Sequence, residues 1–328
     1  MKRSNIVLLC LGILLLAGVF FGAVKIQQRI GPEIENAGKA EHGVEIRREI
    51  IFDGEVCKMR RQLDTVLFIG IADDELVHYE PDQMIPYYNY QQADFLALMV
   101  FDNLERTVQL IQINRDTMTS VPWLDVVGNV GGYEYEQITL SHNYGSGLKD
   151  SCINTANAVS SLLFYMPIDH YVKISMGAVP VLTDIVGGVP VTMPYDLTEL
   201  DSSYTEGATV TLEGQKALSF VRARQGVADG TNISRMGRQR LYIDSYINRA
   251  KEAFSRDPEL IVKTVNGLGR YMMTDMTVDQ LAALGSNIEK YDEKDIYVPE
   301  GRNMHDARFY QFFPYMDRMW ERIKEIVC

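Results

Sequence analysis

The stretch ADFLALMVFDNLERTVQLIQIN, Ala93 to Asn114, decides the fold. Ala93 to Phe101 and Thr107 to Asn114 are two apolar runs of strand length, and Asp102-Asn103-Leu104-Glu105 supplies the turn between them. Antiparallel pairing makes the far ends of a hairpin neighbours. Asp94, which opens the first run, is therefore expected beside Arg115 and Asp116, which close the second. Upstream, DTVLFIGI (Asp64 to Ile71) has the pattern of a buried strand and leads into Ala72-Asp73-Asp74-Glu75. Ligands of α/β sheets gather beyond the carboxyl ends of strands, so Asp73 and Asp74 are candidate cation ligands.

Working outward, Leu76 to Gln92 reads as a Tyr- and Pro-containing loop, and Val121 to Gly147 as an irregular Gly-rich segment. Helical spacing is expected over Ile153 to Tyr165, Ala178 to Val186 (stopped by Gly187-Gly188), Leu212 to Phe220, Val278 to Ile288 and Ala307 to Val327. Strands are expected over His170 to Ser175, Val189 to Met193 and Asp295 to Val298. A long helix is expected over Ile233 to Phe254, capped by Asn232 or Ser234. This alternation, without repeats, describes one α/β domain over 62–328.

Charge singles out Ala217 to Arg240, ALSFVRARQGVADGTNISRMGRQR. Five arginines (Arg222, Arg224, Arg235, Arg238, Arg240) and one carboxylate, Asp229, make it +4 in a chain of net −12, leaving −16 elsewhere. Lysine is absent there, although it would serve a solvated face equally well. Guanidinium pairs bidentately with phosphate, and Arg235 and Arg238, spaced i, i+3, share a helix face near an N-terminus. The segment is therefore read as a site for a compact polyanion. The acidic remainder argues against a general nucleic-acid binder.

The amino terminus is separate. Ile6 to Val24 is a run of 19 uncharged, mostly apolar residues, long enough to span a bilayer. Lys2 and Arg3 precede it, placing residues 1–5 in the cytoplasm and the rest outside. A cleaved signal peptide is the alternative, disfavoured by the length of the run and by the poor cleavage site Gly22-Ala23-Val24. Residues 25–61 read as a juxtamembrane stalk. Of four cysteines, Cys10 lies in the apolar run. Cys57 and Cys152 are expected as unpaired buried thiols, their mutual disulfide being the alternative. No Cys/His zinc cluster is present.

Six ordered blocks then carry a resemblance: INRDT (113–117), SHNYGSG (141–147), DHYVKIS (169–175), DIVGGVPVTMP (184–194), LEGQKALSFVRAR (212–224) and RMGRQR (235–240). Together with one amino-terminal membrane helix they resemble the LytR–CpsA–Psr family, over about Asp64 to Arg249. The resemblance implies a three-layer α-β-α sandwich with a mixed central sheet. It also implies an extracytoplasmic phosphotransferase moving a glycopolymer from a polyprenyl-pyrophosphate carrier to peptidoglycan. A non-catalytic pyrophosphate binder and a pyrophosphate hydrolase are the alternatives. It places Arg115, Asp94 and Asp116 in catalysis, and Arg115, Arg222, Arg224, Arg235, Arg238 and Gln239 on the pyrophosphate. Asp73 and Asp94, with Asp74 as the alternative to Asp73, would hold Mg²⁺ or Mn²⁺. Arg240 matches no family role and is read as a surface residue. The chain departs from the family pattern with one extra residue before Asp73, Ala93 for a Ser, Gln92 for an Arg, and an unmatched loop over Gly226 to Ser234.

Overall fold

A computed structural model describes residues 48–73, 88–125, 127–224, 226–257, 259–277, 280–281, 290–305 and 309–328. The apolar run 6–24, Asp74, and most of the helix expected over Val278 to Ile288 lie outside these. Among the described residues, no helix is long and apolar enough to cross a membrane.

Strands β1 (Glu49–Phe52) and β2 (Glu55–Lys58) form a hairpin ahead of β3 (Leu63–Ile71). Residues 49–59, read as stalk, thus belong to the folded domain: Ile50 and Met59 are buried in its core. The hairpin of β4 (Ala93–Asp102) and β5 (Thr107–Ile113) forms as expected. Next come β6 (Met118–Leu124) and β7 (Val130–Gln137), paired antiparallel, and a 3-10 turn over Ile138–Asn143. This corrects the irregular reading of 121–147. Its glycines mark contact and not disorder, since a Cβ on Gly131 would lie 2.2 Å from the Trp123 ring across the ladder.

Helix α1 (Lys149–Leu162), strand β8 (His170–Ser175), helix α2 (Ala178–Ile185) and strands β9 (Val189–Thr192) and β10 (Thr209–Leu212) follow. Then come α3 (Gly214–Arg222), α4 (Asn232–Arg256), α5 (Glu259–Leu268), β11 (Met272–Thr274) and β12 (Asp292–Glu293). The strand expected over Asp295 to Val298 is reduced to an isolated bridge from Tyr297 to Ile111. The tail closes with a hairpin, β13 (Gly301–His305) and β14 (Tyr310–Pro314), and helix α6 (Met316–Val327). The helix expected from Ala307 therefore starts nine positions later. Pro314 lacks the N–H a helix interior needs, and the Tyr310–Pro314 run pairs as a strand.

The central sheet is mixed, in the order β11-β8-β3-β4-β5-β12, with β3 parallel to β8 and antiparallel to β4. Side chains alternate across it. Leu67, Ile69, Leu96, Leu98 and Val100 join α1 and α6 in one core. Val66, Phe68, Ala97, Met99 and Phe101 join α3 and α4 in the other, with α2 packed against it. The sheet is thus the middle of three layers. Cys57 is disulfide-bonded to Cys328, tying β2 to the end of α6, while Cys152 is free and buried. Cys57 is therefore not the free thiol expected. Its partner comes from the far end of the sequence, where only folding brings it near.

Candidate active site at one end of the central sheet

Asp94 occupies a bulge in the β3–β4 ladder. Gly70 faces Phe95 and Ile71 faces Ala93, which leaves Asp94 as the extra residue. A bulge re-aims its side chain, as is common beside active sites. Gly70 permits the close approach, because a Cβ there would lie 2.8 Å from Phe95 Cβ.

The β4–β5 register sets Leu96 opposite Ile113, which continues to Asp94 opposite Arg115. Arg115 Nη1 contacts Asp94 Oδ1, its Nη2 donates to Gln92 Oε1 at 2.6 Å, and its Nε lies 3.6 Å from Asp116 Oδ1. Arg224, just past α3, grips both oxygens of Asp116, at 2.7 Å from Nη2 and 3.3 Å from Nη1. Gln137 Nε2 also donates to Asp116, at 3.3 Å. The Arg224 guanidinium lies over the Tyr310 ring, 4.5 Å from its centroid. Arg235, on the first turn of α4, donates from Nη2 to Asp94 O at 3.2 Å and holds Nη1 3.7 Å from Asp94 Oδ1.

The start of α4 is built to hold this arrangement. Its cap is Thr231, whose hydroxyl accepts from Ser234 N; neither Asn232 nor Ser234 fills that position. Asn232 is buried instead, donating to Asn114 Oδ1 at 2.6 Å, which also accepts from Asp116 N. Asp229 accepts from Thr231 N and Thr231 Oγ1, ordering the loop before the cap.

Three guanidinium groups thus meet two buried aspartates, leaving one positive charge in excess. Burial first, then the neighbouring arginines, push Arg115 and Arg235 down to about 10, so both remain cationic at neutral pH. Such a cluster favours an incoming anion.

The remaining expected residues divide. Arg222 is exposed on the last turn of α3. Arg238 is buried and turns away from the aspartates: Nε donates to Phe220 O at 3.1 Å, Nη1 to Tyr195 Oη at 3.2 Å, and Nη2 to Ala223 O. Gln239 Nε2 donates to Val221 O at 3.3 Å. Both expected pyrophosphate ligands therefore satisfy the carbonyls at the end of α3, which lack partners within their helix. Arg240, read as a surface residue, is half-buried with Nη1 on Gln112 Oε1 at 2.6 Å.

Asp73 is exposed at the end of β3 and accepts from Gln91 Nε2 at 2.6 Å. Asp94, at the same end of the sheet on the neighbouring strand, is the second carboxylate and is paired with Arg115 and Arg235. That donor set suits Mg²⁺, which takes one or two protein carboxylates and draws its other oxygens from phosphate and water. Among the described residues, no group of three or more His, Cys, Asp and Glu forms a closed metal cage.

Sequence reasoning missed Gln91, Gln137, Lys173 and Tyr310. Lys173 stands inside the block 169–175, and the Pro-terminated aromatic run 310–314 signalled a strand. A cavity of about 440 Å³ at the opposite end of β4 and β5 is lined by Arg60, Asp102, Lys294 and Arg322, among others. Its charges are largely answered locally, Asp102 by Arg60 and Arg322 by Glu325.

These observations define a protein of the α/β class, a mixed sheet with arginine–aspartate pairs gathered at one end. The sequence model of the LytR_cpsA_psr family matches residues 33–322, and the chain belongs to that family. It is 25% identical over 228 residues to an uncharacterized protein of Staphylococcus aureus, covering 67% of this chain and 51% of that one. The chain thus spans about half the length of that relative. It is 23% identical over 325 residues to the polyisoprenyl-teichoic acid–peptidoglycan teichoic acid transferase TagV of Bacillus subtilis, covering 92% of this chain and 76% of TagV. A solved structure of TagT bound to LI-WTA aligns with TM-score 0.58 at 22% identity, over 81% of this chain and 90% of TagT.

Proposed function

We infer that this chain is a membrane-anchored phosphotransferase that moves a glycopolymer from a polyprenyl-pyrophosphate carrier to peptidoglycan. The observation that carries this reading is the convergence of Arg115, Arg224 and Arg235 on Asp94 and Asp116 at one end of the sheet. The name of the TagV relative supports a teichoic acid as the polymer. The apolar run 6–24 and the Cys57–Cys328 disulfide support a membrane-anchored, extracytoplasmic domain.

Arg115 and Arg235, with Arg224 and the exposed Arg222, bind the pyrophosphate oxygens and offset the charge that builds on them. The acceptor hydroxyl oxygen attacks the sugar-side phosphorus. One P–O bond forms, the P–O bond to the carrier phosphate breaks, and the carrier leaves as polyprenyl phosphate. Asp116, held bidentately, fixes the Arg224 fork. Asp94 is freed when its arginines turn to the substrate, so it can then take the hydroxyl proton or help to hold the cation. Asp73 and Asp94, with Asp74 as the alternative to Asp73, would hold Mg²⁺ or Mn²⁺, which when bound neutralises pyrophosphate charge.

The test is incubation of the full chain with labelled lipid-linked sugar pyrophosphate, Mg²⁺ and peptidoglycan. Label is expected on the acceptor together with released polyprenyl phosphate. Arg224→Ala and Arg235→Ala are expected to cut transfer at least about 100-fold while still folding. Lipid retained without release of carrier phosphate would mark a binder. Equal product formation without acceptor would mark a hydrolase.

A further inference from the structure

The amino group of Lys173 hydrogen-bonds to Gln91 and Gly147 and not to the aspartates of the site, and it is costly to bury. Lys173 lies on β8 beside Ile69 of β3 and is 0% exposed. Among the described residues its acceptors are two uncharged oxygens, Gln91 Oε1 at 3.1 Å and Gly147 O. An ammonium taken out of water without an ion pair loses free energy, and burial holds Lys173 below the usual lysine range. A fold keeps such a group where its charge orders something.

What it orders is an amide. An ammonium carries donors only, so the Gln91 atom facing it is the oxygen. The amide nitrogen must then face the other way, where it donates to Asp73 Oδ2 at 2.6 Å. Without the ammonium the amide is free to flip, and a flipped amide would set Oε1 against the carboxylate. The rest of Gln91 is already fixed: its N–H donates to Asn89 Oδ1 at 2.8 Å, and its carbonyl meets His142 Nδ1 at 3.2 Å. Asp94 and Asp116 are each paired with arginines, and Asp94 joins the cation only when its arginines turn to the substrate. Asp73 instead accepts from an uncharged amide, with the Lys173 ammonium on the far side of it.

We propose that Lys173 is a positioning residue that acts through Gln91 to set Asp73 for the divalent cation. This rests on the reading of Asp73 as a cation ligand. The experiment titrates Mn²⁺ by electron paramagnetic resonance into the full chain, with methylenediphosphonate filling the arginine side. Lys173→Met and Gln91→Leu are each expected to weaken Mn²⁺ binding about 10- to 100-fold. The double variant should bind no more weakly than either single one, because both changes break one relay. Asp73→Asn should lose at least as much. The proposal is overturned if Lys173→Met binds Mn²⁺ as tightly as wild type while Asp73→Asn does not, or if the two losses add. Unchanged binding in Asp73→Asn removes the cation-ligand reading itself, and the proposal with it. If Lys173→Met does not fold, Gln91→Leu decides, since wild-type affinity there overturns the relay.

Discussion

Arg224 and Arg238 come from one arginine island and end in different environments. Arg224 faces Asp116 and the Tyr310 ring, while Arg238 ends on backbone carbonyls of the preceding helix. Their alanine variants should therefore fail differently. Arg224→Ala should lose transfer, and it also costs some stability because the buried Asp116 carboxylate loses its bidentate partner. Arg238→Ala should lower unfolding free energy by about 3 kcal/mol, because it strands buried acceptors and leaves a void; denaturant titration checks this. A second prediction concerns His142, which burial first and the Lys173 charge next push down to about 3. Its Nδ1 faces a carbonyl, so that nitrogen carries the proton of the neutral ring. The unfolded state binds a proton near pH 6.5 that the folded state refuses, so stability falls as pH drops from 6.5 toward 3. At pH 5 the loss is about 2 kcal/mol. Melting curves from pH 7 to 5 should fall more steeply for wild type than for His142→Gln.

Among the elements, the hairpin of β4 and β5 was legible because alternation, length and turn formers agree, and it brought Asp94 to Arg115. The bulge that re-aims Asp94 was not. Nothing in Gly70 or Ala93 alone announces a one-residue shift, which arises from how two strands meet. The β6–β7 hairpin was hidden because Gly131 and Gly132 read as loop until Trp123 lies across them. Helix α6 shows the same dependence on distance. Its Met319, Trp320 and Ile323 pack on the sheet, and Cys328 joins it to β2. Reductant should lower the stability of wild type by about 2–5 kcal/mol. It should leave Cys57→Ser unchanged, as scanning calorimetry with and without dithiothreitol would register.

At the scale of the molecule, the site is assembled from five regions: the sheet ends, the β6–β7 hairpin, the segment just past α3, the start of α4 and the carboxyl-terminal hairpin. Gln137 Nε2 donates to Tyr310 O at 2.5 Å, and Phe312 N donates to Asp116 O at 2.8 Å, so β14 is docked directly on the wall that carries Asp116. Tyr310→Leu removes the ring under Arg224, a contact of about 0.5–2 kcal/mol, and should raise KM for the lipid substrate. Tyr310→Phe should restore it. Equal KM values for wild type and the leucine variant would show that the ring does not hold the arginine in its working position.

The sequence by itself determined the α/β alternation, the pairing of the two central strands and the presence of an arginine-rich segment. These follow from patterns a few residues long, where periodicity, turn chemistry and charge act locally. Only the tertiary structure decided that Arg224 and Arg235 reach the aspartates while Arg238 does not. Only it brought Tyr310, Gln137 and Lys173 to that end of the sheet, and Cys57 to Cys328. Those outcomes depend on how helices and hairpins pack across long stretches of chain, where a one-residue shift or a half-turn re-aims a side chain.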